Sequence, residues 1–486
     1  MQKDILIIGA GVVGCALARE LSRYETGIAV LERMSDVAEG ASKANSGIVH
    51  AGFDAKPGTL KAKLNVEGAL MYPALSKELG APYTQPGALV LGFEPEDLDT
   101  LKGLYEQGIK NGVPGLKLLN REEVLAIEPN TNPQVVGALL AQTSGLTSPY
   151  EMSFAMADHA AQNGAEFLME TEVLNISREG DVWQVKTNKG TITAQVVINC
   201  AGVQSAKIHN MISDKKFTII PRRGEYYLMD RMANLPFTRT MFQCPTKMGK
   251  GILVSPTVHG NLLLGPSAED INDEADTATT AMGLKTVLEK AKLTWKNASP
   301  RGTITTFSGI RAHEVNGDFV IGPIEGAPNA YEALGVESPG LSAAPAVAKM
   351  LCGQVVDALN LNEKAVFLPA VPRPKSFHAM SMAEKAQAVL ENPQNGSLVC
   401  RCEQVTEAEI RDAIRRPVGA RSIDGVKRRT RAGMGRCQGG FCSPRVLDIL
   451  AEELGIPHTQ ITKCGGESRL LVGTLAETVQ EDNRHE

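Results

Sequence analysis

Gly9-Ala10-Gly11-Val12-Val13-Gly14 is a G-x-G-x-x-G turn, and its flanks have the residue types that let such a turn bind a dinucleotide. Asp4–Ile8 is a short branched run that reads as a buried strand, and Val13–Arg23 then takes up helical periodicity. Gly9 permits the tight turn, Gly11 lets a pyrophosphate approach the backbone, and Gly14 lets the helix pack close to the strand. The helix start would meet the phosphates with free N–H groups and the positive end of its dipole. Ala29–Leu31 reads as a second strand that ends at Glu32-Arg33. Glu32, eighteen residues beyond Gly14, is placed to accept hydrogen bonds from a ribose hydroxyl pair.

A second set lies towards the other end. Cys400-Arg401-Cys402 and Cys437-Gln438-Gly439-Gly440-Phe441-Cys442 put two cysteine pairs on two loops with 34 residues between them. Four thiolates so arranged can gather around zinc or an iron–sulfur cluster. Zinc pairs are more often spaced C-x2–4-C, so C-x-C counts mildly against zinc. Glycines 433, 435, 439 and 440 would leave backbone N–H groups near the sulfurs, which tunes a cluster. Lys427, Arg428, Arg429, Arg431 and Arg436 crowd the approach to Cys437. They read as a solvated basic face, or as charge balance for an anionic cluster and a dock for an acidic electron-transfer partner. Cys464 reads as non-ligating, and Cys15, Cys200, Cys244 and Cys352 as small buried hydrophobes.

These residues need positioning. Gly40–Gly52 is a loop of small, hydroxyl and amide residues that includes Ser42, Asn45, Ser46 and His50, and it suits a further contact along a pyrophosphate and ribityl chain. Val196–Asn199 running into Cys200-Ala201-Gly202 reads as a parallel strand returning to the first sheet, so the nucleotide domain is assembled from distant pieces. Tyr331–Leu334 leads through Gly335 into Gly340-Leu341-Ser342, which opens an apolar helix to Leu359. That turn is expected to face the electron-rich edge of a redox ring. Helices are expected over Leu60–Leu79, Glu94–Asn111, Arg121–Ile127 and Ser148–Asn163, the last with Ser148 as N-cap. Phe217 to about Arg301 alternates as antiparallel strands, with His259-Gly260 as a hairpin turn. Leu368–Asn395, with Pro369, Pro372, Pro374 and Pro393, reads as a linker, helical at Met382–Leu390. Thr406–Arg415 carries a capping box from Thr406 to Glu409.

With 486 residues the chain should hold two or three domains. A net charge of −5 implies no general affinity for nucleic acid or an anionic membrane. No run of eighteen apolar residues appears and the first strand begins within three residues, so no signal peptide or membrane span is expected and the location is expected to be cytoplasmic. Nine cysteines there argue for metal or redox use over a disulfide framework.

Together these motifs carry a family resemblance. Residues 1 to about 365 resemble the D-amino-acid-oxidase-like flavoproteins. Within them Asn45–Gly52 and Pro221-Arg222-Arg223-Gly224-Glu225-Tyr226 are similar to L-2-hydroxyglutarate dehydrogenases. Thr430–Gly435 before Cys437-Gln438-Gly439 resembles the module of the anaerobic glycerol-3-phosphate dehydrogenase large subunit, of the bacterioferritin-associated-ferredoxin type. The resemblance implies an α/β fold: a Rossmann-like FAD-binding domain (about 1–80, 145–215 and 302–367) interleaved with a mainly antiparallel substrate cap (about 81–144 and 216–301). A linker at 368–396 and a 2Fe–2S domain at 397–486 would follow.

It further implies FAD contacts at Gly9, Gly11, Gly14, Glu32, Arg33, Ser42, Asn45, Ser46, Val173, Ala201, Gly202, Gly335, Gly340, Leu341 and Ser342, and cluster ligation by Cys400, Cys402, Cys437 and Cys442. Arg311 matches the arginine that grips the substrate anion, with Arg223 and Tyr226 as further substrate contacts. His50 is the candidate to take the hydroxyl proton; a positional role, or the covalent flavin attachment seen in some amine-oxidising relatives, stand beside it. Membrane-type glycerol-3-phosphate dehydrogenases have an arginine shortly after this histidine, where the chain has Phe53-Asp54, so Arg222 or Arg223 would have to replace it. The implied activity is oxidation of a small anionic hydroxy compound, glycerol 3-phosphate first. A 2-hydroxyacid such as L-2-hydroxyglutarate and an amino or imino acid are alternatives, and so is a non-enzymatic electron-transfer subunit. Electrons would pass from FAD through the cluster to a partner, a second flavoprotein or other acceptor subunit.

Overall fold

The computed structural model describes residues 1–232, 234–245 and 251–473, so positions 474–486 of the expected cluster domain lie outside the described residues. Gln2–Ile8 is the centre of an eight-stranded sheet. It pairs in parallel with Ile28–Leu31 on one side and Gly190–Asn199 on the other, and Gly190–Asn199 pairs in parallel with Ala330–Leu334. Strands from three distant stretches thus make one sheet, as expected from the apolar run into Cys200. The helices Val12–Leu21, Leu60–Leu79, Pro149–Gln162 and Gly340–Leu359 cover it, burying Leu17, Tyr72, Phe154, Val347 and Leu351 in one core.

A nine-stranded, mainly antiparallel sheet forms the cap. Its longest pairing runs Ile219–Met229 against Thr303–Glu314, with Arg222 opposite Arg311 and Tyr226 opposite Phe307. Thr303–Glu314, expected to open the third FAD-binding segment, belongs to the cap, because eleven of its residues pair with Ile219–Met229. Ala281–Thr294 is a helix within the stretch read as strands only. Ser148 occupies the N-cap position expected of it, but its side chain makes no capping hydrogen bond.

The C-terminal unit is a small helical domain around Ile410, Val426, Val446 and Leu450, with helices Glu407–Arg415, Ile423–Thr430 and Ser443–Leu454. The capping box at Thr406 and Glu409 is formed. The segment read as a linker is strapped down: Leu368 bonds to His159 and Asn163, Arg373 donates to the Arg429 carbonyl at 3.0 Å, and Phe377 N–H reaches Glu409.

Candidate flavin, substrate and cluster sites

The glycine turn is closed as the spacing requires. Gly9 has φ +101°, and a Cβ there would lie 2.6 Å from the Cys200 carbonyl oxygen; one at Gly14 would fall on the Gly9 carbonyl oxygen. The helix start at Gly11 has no side-chain cap, and Val12 N–H donates to Ser42 Oγ at 2.9 Å. Beside it Gly9, Glu32, Arg33, Val173 and Ala201 line one cavity. Five of the residues expected at the adenosine end of FAD therefore converge, around an open helix N-terminus. A dinucleotide fits this cradle. Glu32 also braces it, accepting from Ala10 N–H and Met34 N–H at 2.9 Å each. Burial pushes its carboxyl above the usual range, against those two donors. Gly202 has φ +57° just beyond Ala201.

Asn45 shapes the next loop by donating to the Ala41 and Ser42 carbonyls and accepting from Gly47 N–H; Ser46 lies between them, half-buried. His50 N–H donates to Ser342 Oγ at 2.7 Å, which ties the expected proton acceptor to the start of Gly340–Leu359. Tyr72 Oη holds the Leu341 carbonyl at 2.6 Å. That helix too begins without a side-chain cap. Gly335, with φ +69°, packs its α-carbon against Glu314, so its part is to shape the turn before this helix. Sequence reasoning passed over Asn65 and Phe242. Asn65 is completely buried and bridges the His50 carbonyl at 3.1 Å and Gly52 N–H at 3.0 Å, while the Phe242 ring lies 5.6 Å from the His50 ring. A buried amide on the apolar face of Leu60–Leu79 was the available signal for Asn65.

The cap carries the residues expected to contact substrate. Tyr226 stacks on Phe307 at 4.8 Å, and both pack in one apolar cluster with Ile48, Ala51 and Phe242. Burial raises the Tyr226 hydroxyl, opposed by the nearby Arg311 charge. Arg311 Nη2 donates to the Ser267 carbonyl at 2.9 Å, its one hydrogen bond among the described residues, and buried Nε has no partner there. Arg223 differs. It points to the opposite face of its strand, where Glu269 and Asp276 bind it at 2.7 Å each and Glu225 lies at 3.7 Å. Its expected role as a substrate contact is therefore corrected: three carboxylates hold its charge. Arg222, the other replacement considered for the missing phosphate ligand, is held bidentately by Asp270.

At the cluster end one cysteine from each loop meets one from the other. Cys402 Sγ is 3.7 Å from Cys437 Sγ, and Cys400 shares a hydrogen bond with Cys442. That bond, with N–H donors from Gly433 and Glu403, lowers the Cys400 thiol to about 6; Phe441, Gly439 and Gly440 N–H groups lower Cys437. The loop glycines thus put N–H groups on the sulfurs as expected. No group of three or more His, Cys, Asp or Glu side chains among the described residues is placed to hold one metal ion. Four thiols in two facing pairs, one member of each pair from each loop, are a donor set that fits a 2Fe–2S cluster.

The basic run is not a solvated face. Arg428 and Arg429 are buried, and they bind Asp36 and Glu39, on the loop between Glu32 and the Ser42–Asn45 segment. Arg429 reaches both Asp36 oxygens, at 2.6 and 2.7 Å. Arg431 joins Glu403 to Asn261 of the cap, and Arg436 binds Asp230. The flavin loop and the cluster loop also meet through the start of Pro149–Gln162: Thr147 N–H donates to the Gly47 carbonyl at 2.8 Å, and Tyr150 Oη lies 3.7 Å from Met434 Sδ.

A nucleotide cradle and four thiols on one polypeptide define a flavin-dependent oxidoreductase joined to an iron–sulfur electron-transfer domain. The chain belongs to the FAD dependent oxidoreductase family, whose pattern matches residues 4–354; a BFD-like [2Fe-2S] binding domain matches residues 398–452. Its cofactors are FAD and a 2Fe–2S cluster. It is 46% identical over 481 residues to a glycerol 3-phosphate dehydrogenase of Caloramator mitchellensis, across 98% of this chain and 100% of that one. A glycerol 3-phosphate oxidase of Mycoplasma pneumoniae is 32% identical, across 71% of this chain and 93% of its own. The human mitochondrial L-2-hydroxyglutarate dehydrogenase is 32% identical across 54% of this chain and 60% of its own. The solved structure of dithionite-reduced L-α-glycerophosphate oxidase from Mycoplasma pneumoniae with FAD bound superposes with a TM-score of 0.73 at 30% identity, covering 77% of this chain and 100% of that one. No helix among the described residues is long and apolar enough to cross a membrane.

Proposed function

We propose that the protein oxidises glycerol 3-phosphate to dihydroxyacetone phosphate and hands the electrons through its cluster to an acceptor subunit, a second flavoprotein being one candidate. The observation that carries the substrate reading is Arg311: a half-buried guanidinium with no carboxylate partner among the described residues, its one hydrogen bond going to the Ser267 carbonyl, on the strand face that also carries Phe307, opposite Tyr226. A guanidinium whose charge no carboxylate neutralises attracts an oxyanion. FAD, when bound, supplies the acceptor for the hydride that leaves the alcohol carbon. His50 accepts the hydroxyl proton, its backbone held by Ser342 and Asn65 so that the ring position is set from both sides. The Tyr226–Phe307 stack keeps water off the reacting carbon.

With Arg222 and Arg223 held by carboxylates, a single guanidinium faces the anion, and this favours a carboxylate as the second reading: a 2-hydroxyacid such as L-2-hydroxyglutarate. Anaerobic bleaching of the flavin, tried compound by compound, separates the two. Bleaching by glycerol 3-phosphate at micromolar to millimolar concentration supports the proposal. Bleaching by 2-hydroxyacids alone replaces it with the second reading, bleaching by amino or imino acids alone makes the chain an amino- or imino-acid dehydrogenase, and bleaching by none of these, with reduction by a partner flavoprotein, returns it to an electron-transfer role.

A further inference from the structure

The two thiol pairs differ in exposure. Cys400 and Cys442 are 1% and 2% exposed, whereas Cys402 is exposed and Cys437 half-exposed. The Cys402–Cys437 side of the thiol set therefore faces out of the protein. Around it the exposed side chains of the two cysteine loops are Arg401, Arg436, Gln438 and Phe441. Phe441 is 87% exposed although it neighbours the buried ligand Cys442. The one acid in these loops, Glu403, is buried under Arg231 and Arg431. With Arg428 and Arg429 turned inward and Arg436 paired to Asp230 of the cap, the rim cation left without an acid partner among the described residues is Arg401.

We propose that this rim is the docking surface for an acidic one-electron carrier protein, with Phe441 as its apolar anchor and Arg401 steering the approach. The inference rests on the reading that electrons leave through the cluster. An exposed aromatic ring flanked by arginines is the composition of an interface hot spot, and a basic rim speeds encounter with an acidic partner. The carrier takes up one electron per encounter and leaves the cluster oxidised by one, so two encounters clear the pair that one substrate molecule delivers.

The test uses the holoenzyme under argon, with a flavodoxin as acidic probe and cytochrome c as basic probe. Binding is read by titration calorimetry and electron delivery by the probe's absorbance. Phe441→Ala and Arg401→Glu should each weaken flavodoxin binding roughly tenfold or more. Cluster absorbance and substrate bleaching of the flavin should stay as in the parent; Phe441→Ala retains the backbone N–H at Cys437. Raising the salt from 0.05 to 0.3 M should weaken the parent complex and leave the charge-reversed one little changed. Equal flavodoxin affinity in all variants, a preference of the parent for cytochrome c, or a dimer that Phe441→Ala converts to monomer would each overturn the docking surface. Flavodoxin reduction at the parent rate by Cys437→Ser, stripped of its cluster, would instead overturn exit through the cluster.

Discussion

Arg311 and Arg223 lie on paired neighbouring strands of the cap and do opposite jobs. Arg311 has no carboxylate partner among the described residues, so Arg311→Ala should raise the KM for an anionic substrate with FAD retained. A charged hydrogen bond is worth about 1.5–3 kcal/mol, so the loss in kcat/KM should be roughly 10- to 150-fold. Steady-state kinetics check this, and an unchanged KM removes Arg311 from the site. Arg223→Met should leave KM where it was and cost stability, about 3–5 kcal/mol, because Glu225 is left buried without its cation; thermal unfolding is the measurement. The sequence held the clue to this division. In an unbroken strand residues three apart face opposite sides, so Arg223 and Tyr226 could not share one pocket, and only Tyr226 falls opposite Phe307 in register. What could not be read was which face is the pocket, since that depends on a pairing to Thr303–Glu314 more than 70 positions away.

Among elements, the loop from Glu32 to Asn45 is held at both ends by different domains. Its glycine-turn side belongs to the flavin sheet, and its middle is gripped by Arg428 and Arg429 of the cluster domain. Breaking a buried pair by removing one partner costs about 3–5 kcal/mol, so Arg429→Met should lower the melting temperature and release FAD earlier, read by flavin fluorescence during the melt. FAD release at the parent temperature would show that the clamp does not reach the cofactor. Burial alone would raise the Asp36 carboxyl, but Arg429 and Arg428 outweigh it and hold it below the usual range. A carboxyl lowered in the folded state adds stability above its unfolded pKa of about 3.9 and loses it as pH falls through the folded value. The clamp should therefore persist through neutral pH and weaken only in acid below about pH 4, and Asp36→Asn should remove that acid dependence. This grip was hidden in the sequence. Arg428 and Arg429 sit in a run of cations that resembles a solvated face, and their partners lie 389 to 393 positions earlier. Ala281–Thr294 was missed for a local reason: only Val287, Ala291 and Thr294 of it are buried, too thin a stripe to stand out between strands. The glycine turn and the capping box at Thr406 were legible because their geometry is local.

At the scale of the molecule, the cluster domain rests on both other units. Arg436 meets Asp230 and Arg431 meets Asn261 on the cap, while Arg428 and Arg429 hold the flavin loop. The flavin-binding and cluster regions were legible because each carries a motif of its own, but the sequence placed a linker where the chain is strapped between domains. On the proposed route, substrate electrons reach the cluster of the same polypeptide. Anaerobic addition of glycerol 3-phosphate to the purified protein, followed by visible and low-temperature electron paramagnetic resonance spectra, tests it most directly. The flavin absorbance should fall and a reduced 2Fe–2S signal should rise in one sample. A flavin that bleaches beside a cluster that stays oxidised, or four thiols that prove to hold zinc, would contradict it.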